Sequence, residues 1–593
     1  MPKALWITLA TGLLTASCSS HGGSAFLPQV GGGNLQPSAL GAHTTRAARP
    51  TSVPAGWSAT ATQAFNLSNA TDLGALSASQ PVTVRLGLQM RSPDQLKSLV
   101  AAGQQINPST FNATYAPTSA QVAAVTSYLQ AQGFTNITTE PNNLLVSASG
   151  SAAVVSKAFN TTLHSFSQNG KNVYANTSAA YVPQSLGSNV IAVLGLSNAQ
   201  TMAPRPQFQV TPCNVEGIQT GSPACLRFYD PETFQVTYHA ALVSNGAQTP
   251  VAIMAEGNVT QSISDLRLNE QQFSLPQVPV NVVQVGLPSV DTAGDGEWTL
   301  DMTYSSGMAQ SLKAIYLYDT TSLTDSDIAL EYNKWVTQDL TRIGNSSFGG
   351  CEYGPYLDGS MLVDDEILLQ GAAQGQTMFA STGDSGSFCS VGLPNGVPGG
   401  APFVEYPATS PYVVAVGGTD LFSNSNASYK GETAWEAGGG GLSQFEYSPY
   451  WEATAQPVSQ QGESFRGAPD IAMDGAIETG ALLYGGSAVN GSCTPCITGG
   501  TSLSSPLAAG AYARMQTGHH NALGFAAPLL YKNYSENPNA GPTLPGPPPT
   551  EPIGGFHDIL TGSNTLYTAL PRYDYTTGLG SFDVAVMMQE IGR

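Results

Sequence analysis

From about Leu226 onward, short uninterrupted apolar runs alternate with stretches of helical pattern, and this alternation restricts the fold more than any other feature of the chain. Val251-Ala252-Ile253-Met254-Ala255, Ala314-Ile315-Tyr316-Leu317, Thr377-Met378-Phe379-Ala380 and Val413-Val414-Ala415-Val416 are such runs, with helical patterns at Ile328 to Leu340 and Glu366 to Gln374 between them. A strand that is apolar along its whole length has both faces covered, which predicts a parallel sheet with helices on either side. In sheets of this kind the ligand crevice lies beyond the strand carboxyl ends. Glu256 and Asp384 closely follow two of the runs.

The second constraint is Gly499-Gly500-Thr501-Ser502-Leu503-Ser504-Ser505-Pro506, followed by Leu507-Ala508-Ala509-Gly510-Ala511. The glycines permit a sharp bend, and the segment after them reads as a helix to about Gln516, which predicts an exposed Ser502 at a helix N-terminus. Unpaired N–H groups and the helix dipole at such a place can hold an oxyanion, so Ser502 is a candidate nucleophile; taken alone, the motif reads first as a helix cap, and only partners elsewhere in the chain change that.

A serine nucleophile needs a base. No histidine lies between His239 and His519, and neither of those has a setting that suggests an imidazole partner; HExxH is absent. Carboxylates are the alternative. In Gly294-Asp295-Gly296-Glu297-Trp298-Thr299-Leu300-Asp301 the i, i+4 spacing puts Glu297 and Asp301 on one helix face among Trp298, Leu300 and Met302. Burial and a like-charged neighbour raise at least one pKa of such a pair, and a carboxylate so tuned can take a serine proton in acid.

Composition agrees with an acidic setting. The 593 residues carry a net charge of -20, yet only 10% are charged, against the usual ~25%. When the 40 acidic residues are neutralised, 20 Lys and Arg and 7 His remain to repel one another, so acid expansion is small. No basic patch is present to bind phosphates, which excludes a nucleic-acid partner.

Residues 1–18 read as an export signal, too short for a permanent bilayer span. Leu14-Thr15-Ala16-Ser17-Cys18 resembles a lipoprotein box, which leaves two readings, a lipid anchor at Cys18 or ordinary secretion. Residues 19–58 are a flexible linker rich in Gly, Ser, Thr, Pro and Ala. Residues 59–198 form a first domain of mixed strands and helices: Val82 to Leu88, a helix capped by Ser92-Pro93-Asp94, a second helix opened by Ser119 and ended by Gly133, then strands at Leu144 to Ser147 and Val190 to Leu194. This order predicts a split βαβ sandwich. Residues 199–225 read as an exposed linker open to cleavage, and 226–593 as the catalytic domain. Beyond Cys18, six cysteines in an exported chain predict three disulfides; nearest-neighbour pairing would join Cys213 to Cys225, Cys351 to Cys389 and Cys493 to Cys496, one of about fifteen connectivities six cysteines allow. The last pair, a single CxxC in a loop, is weak evidence for a redox motif.

Taken together these motifs resemble the sedolisin family of serine-carboxyl peptidases, which includes kumamolisin. The family's Ser-Gly-Thr-Ser-x-Ser-x-Pro matches Gly499 to Pro506 with Gly499 in place of the first Ser. Its Glu-x-x-x-Asp helix matches Glu297 and Asp301, and its Asp loop matches Ser381-Thr382-Gly383-Asp384-Ser385-Gly386. Pro407 to Tyr412, Val416 to Thr419, Gly439 to Ser443 and Pro469 to Ala472 are further family-like segments, and the similarity covers about residues 60–593.

The resemblance implies an α/β catalytic domain with a subtilisin-like parallel sheet flanked by helices, preceded by a small α+β, ferredoxin-like activation prodomain. It implies Ser502 as nucleophile, Glu297 as general base, Asp301 as its orienting partner and a protonated Asp384 in the oxyanion hole; Glu256 is similar to an outer acid that extends the pair in some members. Asp558, Ile559, Leu570, Arg572 and Asp574 correspond to the family's calcium ligands, with Leu570 and Arg572 standing where the family has glycines. The function implied is an exported, acid-active endopeptidase made as a zymogen, acting on proteins or peptides, with its own prodomain as intramolecular inhibitor. The rival reading is a surface-tethered binding protein that keeps the fold without the chemistry.

Overall fold

In the computed structural model of the protein, residues 52–67, 70–204, 207–209, 228–389, 400–455, 465–485, 493–537 and 552–592 are described. The export signal, most of the linker that follows it, and Cys213 and Cys225 lie outside them. No helix among the described residues is long and apolar enough to cross a membrane.

The main sheet has eight strands: β1 (Val251–Glu256), β2 (Val280–Gln284), β3 (Ile315–Thr320), β4 (Ile343–Ser346), β5 (Thr377–Ser381), β6 (Val414–Ser423), β7 (Tyr429–Ala434) and β8 (Ile471–Asp474). They run in the order β2-β3-β1-β4-β5-β6-β7, with β8 also on β6. All pairings are parallel except β6 with β7. The four apolar runs are the interior strands β1, β3, β5 and β6. β1 and β5 are buried at every residue, the reason their sequences do not alternate. β2 is a half-exposed edge strand, whose pattern carries little apolar signal.

Four helices matter for the site: α1 (Asp295–Ala309), α2 (Asp325–Gln338), α3 (Ser360–Ala373) and α4 (Thr501–Gly518). All 15 residues of α1 are buried, the condition under which an acid pair becomes costly to ionise. α4 crosses β4, β5, β6 and β8 and packs along α1. The small-residue run allows this approach: a Cβ on Gly510 would stand 2.4 Å from the Ser305 carbonyl oxygen. α3 begins six residues before the helical pattern starts, because Gly359 at φ 86° separates it from the preceding turn of helix.

The first domain carries a four-stranded antiparallel sheet of Thr135–Thr139, Leu145–Ser151, Pro81–Leu88 and Val190–Leu194 in that spatial order, the split βαβ arrangement. The helix expected to open at Ser119 is its third, after Pro108–Thr114; it spans Ser119–Gln132, is capped by a box between Thr118 and Gln121 and ends at Gly133 with φ 91°. Its first helix departs from expectation. Ser92 sits at φ 52° and makes no side-chain cap; the fixed φ of Pro93 starts the helix instead.

This domain lies on α2 and α3. Arg85 pairs with Asp327 at 2.8 Å and donates to Ser326 Oγ at 2.6 Å. Glu366 accepts from Gln89 Nε2 at 2.6 Å and from the Met90 amide at 3.1 Å. Contact is so close that a Cβ on Gly87 would meet Val363 Cγ2 at 2.3 Å. Cys351 and Cys389 form a disulfide. Cys496 is also disulfide-bonded, and the CxxC expected in a loop begins the strand Cys493–Gly499.

Candidate active site

Ser502 is the second residue of α4, after Gly500 at φ 103° and Thr501. It is therefore not the cap. Nor is it exposed: only 2% of its surface is accessible. Two segments pair with strands that flank it. Ala203–Pro204, expected in an exposed linker, pairs antiparallel with Phe348–Gly349, and Gln207–Gln209 pairs antiparallel with Ile497–Gly499, immediately before the Ser502 turn. The chain leaving the first domain thus lies as an added strand on both walls of the cleft that holds the serine.

α1 brings Glu297 and Asp301 to the same place, 1% and 0% accessible. Burial pushes the Glu297 carboxyl well above the usual carboxylate range and the Asp301 charge pushes it further, while the Ser502 hydroxyl favours its ionised form. Neither Glu297 oxygen meets hydrogen-bond geometry with any group; Ser502 Oγ points instead at the Ser347 carbonyl oxygen, 3.4 Å away. Asp301 is raised mainly by burial and opposed by hydrogen bonding to Ser347 and Asn345.

Ser347 and Asn345 were not singled out from sequence. Ser347 Oγ donates to Asp301 Oδ1 at 2.6 Å, Asn345 Nδ2 donates to Ser347 Oγ at 2.9 Å, and Ser505 Oγ donates to Asn345 Oδ1 at 2.6 Å. The end of β4 therefore ties the acid pair on α1 to the serine helix α4. The available signal was the polar run Gly344-Asn345-Ser346-Ser347, fully buried at the end of a central strand, where polar groups persist only when hydrogen-bonded.

Asp384 follows β5 and is fixed to the residue before the serine: its Oδ1 accepts from the Thr501 amide at 2.8 Å and from Thr501 Oγ1 at 3.0 Å, and the Gly383 amide donates to Thr501 Oγ1 at 3.0 Å. The glycines at 439–441 brace this loop. The Gly439 amide donates to the Gly383 carbonyl at 2.7 Å, and a Cβ there would fall 1.9 Å from the Thr382 carbonyl oxygen. Gly499 is equally enclosed, with the Gly475 carbonyl oxygen 2.8 Å from a built Cβ. Glu256 is not joined to the acid pair. Burial raises it to about 7, aided by Asp291, Asp319 and Asp295, and its carbonyl accepts from Trp298 Nε1 at 2.9 Å.

No imidazole serves Ser502 among the described residues. His164 contacts Asp72, His239 contacts Asp583, His557 stacks on Tyr429, and His519 and His520 stand at the far end of α4, about 25 Å along the helix at ~1.5 Å per residue.

Asp558 and Asp574 converge near the C-terminus, each pushed up to about 6, chiefly by burial. The Arg572 amide donates to both Asp558 oxygens at 2.9 and 2.8 Å, which uses two of about four lone-pair directions and leaves the others for a cation. Asp574 accepts from the amides of Leu570, Thr576 and Thr577 at 2.9, 2.7 and 2.9 Å, so it is held rigidly. Arg572 keeps φ 72°, a glycine-like conformation, although it is not glycine. One buried and one partly buried carboxylate with adjacent carbonyls are a hard-oxygen donor set of the kind calcium takes.

Two family models match the chain: "Pro-kumamolisin, activation domain" over residues 68–199 and "Subtilase family" over residues 290–530. Sedolisin of Pseudomonas sp. (strain 101) is 34% identical over 567 residues, covering 89% of this chain and 91% of that protein. Xanthomonalisin of Xanthomonas sp. (strain T-22) is 32% identical, covering 98% of this chain and 74% of that protein. The structure of Pseudomonas sedolisin, a serine-carboxyl proteinase complexed with two molecules of pseudo-iodotyrostatin, aligns with a TM-score of 0.55 at 31% identity, over 62% of this chain and 98% of that one. With this extent of similarity, and a buried Glu-Asp pair beside a helix-opening serine, the chain belongs to the sedolisin family: it is a serine-carboxyl peptidase preceded by an activation prodomain.

Proposed function

We propose that the protein is an exported, acid-active endopeptidase made as a zymogen, in which Ser502 is the nucleophile, Glu297 the general base, Asp301 its orienting partner and Asp384 the oxyanion donor. The observation that carries this reading is the Glu297–Asp301 pair, buried on α1 beside the Ser502 hydroxyl. The buried pair titrates as a unit and holds one proton over a wide range. With Asp301 carrying it, Glu297 is ionised and can accept the serine proton as Oγ bonds to the substrate carbonyl carbon. Glu297 then returns that proton to the departing amine. Asp384 Oδ1 is occupied by Thr501, so a proton on Oδ2 is the one offered to the oxyanion; an ionised Asp384 would repel it.

The strand-like pairing of 203–204 and 207–209 on the cleft walls supports inhibition by the precursor's own chain, with maturation by a cut within 199–225. Purified precursor is expected to be cut in that segment and to hydrolyse peptides in acid but not at neutrality. A precursor that stays intact and inactive at every pH contradicts the reading.

Calcium is part of the proposal. Asp558 and Asp574 would hold it with the carbonyls of Ile559, Leu570 and Arg572, and its chemistry there is structural, joining the C-terminal loops. Chelation is expected to lower the melting temperature by several degrees, restored by added calcium; an unchanged melting curve removes calcium from the account. Export places the mature enzyme outside the cell or, with a lipid anchor at Cys18, on the envelope.

A further inference from the structure

Far from Ser502, three metal-ligating side chains meet where the beginning and end of the catalytic domain come together. His239 follows the short helix Pro231–Thr237, His557 lies in the strand Phe556–His557, and Asp583 opens the last helix, Val584–Glu590. One ligand atom from each lies within 4.8 Å of the others. His239 Nδ1 is 2.9 Å from Asp583 Oδ2, and His557 Nε2 is 3.9 Å from the same oxygen.

The cluster has features that a plain ion pair does not need. Asp583 divides its oxygens: Oδ1 accepts from the Val586 amide at 3.1 Å and caps the helix, which leaves Oδ2 to the histidines. His557 Nε2 is buried and has no hydrogen-bond partner, although it faces the carboxylate and is adjacent to a second imidazole. An orphaned buried ring nitrogen is costly, and few native groups are left so. The Tyr429 ring stacks on the imidazole at 3.8 Å and 11° and holds its plane. His239 is held at φ 57°, an uncommon conformation for a residue that is not glycine, in the orientation that presents Nδ1 to Asp583. Its partly exposed ring leaves one side of the cluster open to solvent.

We propose that His239, His557 and Asp583 form a binding site for a divalent transition metal, with zinc the best match. Two imidazole nitrogens and one carboxylate oxygen are a borderline-soft donor set, and a water from the open side completes a four-coordinate shell. Metal–ligand bonds of about 2.0–2.1 Å require the three atoms to draw together by only small side-chain movements. The ion bonds to the orphaned His557 nitrogen and adds a link between the domain's first helix region and its last, beside the Val584 amide bond to the Tyr238 carbonyl at 3.0 Å. This site is separate from the calcium ligands in donor type: oxygen there, mainly nitrogen here.

The test uses the tag-free full chain with Ser502→Ala, to prevent self-cleavage, at neutral pH with calcium in excess throughout. Zinc sulfate is titrated calorimetrically and the melting temperature followed. One zinc per chain is expected, with a rise of about 3 °C at a free concentration near a hundred times Kd. His557→Gln and His239→Asn, the latter chosen because Asn tolerates positive φ, should each lose the zinc-dependent rise while melting at the metal-free temperature. Cobalt(II) in place of zinc should give the visible absorption of a four-coordinate ion in the parent and not in the variants. An absent zinc response, or a response that both variants retain, overturns the proposal.

Discussion

Glu297→Gln is expected to lower kcat/KM at least about 10³-fold while the mature protein melts at the same temperature or higher. Removal of a positioned general base costs ~10²–10⁴ in rate, and here the base also accepts the proton that activates the nucleophile. Stability should not suffer, because the amide has the shape of the carboxylate without a charge to bury, and both Glu297 oxygens lack hydrogen bonds in the resting structure. Ser502→Ala should cost roughly 10⁵-fold or more, and the double variant should be no worse than Ser502→Ala alone, since residues that act as a unit are not additive. Steady-state kinetics on a peptide substrate, with calorimetry on the same samples, checks both halves. A large fall in melting temperature for Glu297→Gln would mean that the acid is structural.

The second large effect concerns stability. Burial pushes Glu256 and Asp319 up to about 7, Glu352 to about 8 and Glu366 to about 7, whereas in the unfolded chain such groups titrate near ~4. Their folded values are raised, so their contribution is fully present below about pH 4 and is lost as pH rises through about 7 to 8. The native state binds more protons than the unfolded state across that window, and stability declines from acid to neutrality. Together the four groups should lower stability between about pH 4 and 8, seen as a fall in melting temperature of several degrees. Calorimetry of the Ser502→Ala precursor across this range checks the sign. A melting temperature that climbs with pH would contradict it.

The two halves of the site were unequally legible in the sequence. Glu297 and Asp301 stood out because an i, i+4 acid pair among Trp298, Leu300 and Met302 has no ordinary place on a buried helix. The interior strands were legible because β1, β3, β5 and β6 are covered on both faces over most of their length and so carry unbroken apolar runs. β2 and β4 were not: the first is an exposed edge, and the second ends in Asn345 and Ser346, polar residues held by hydrogen bonds that no periodicity reports. Ser347 was missed for the same reason. The pairing of residues 203–204 and 207–209 with strands beside the serine could not be read at all, since backbone pairing places no demand on side-chain type. Gly439 was legible only as a motif; its physical reason, the 1.9 Å approach to Thr382, needs the folded loop.

The most direct test of a serine armed by carboxyls is the pH dependence of kcat/KM for the mature enzyme. Activity should be greatest in acid and fall as pH rises towards neutrality, as Asp384 and the Glu297–Asp301 pair lose the protons the chemistry requires. A profile that instead rises with a midpoint near ~6.5, the titration of an imidazole, would contradict the account.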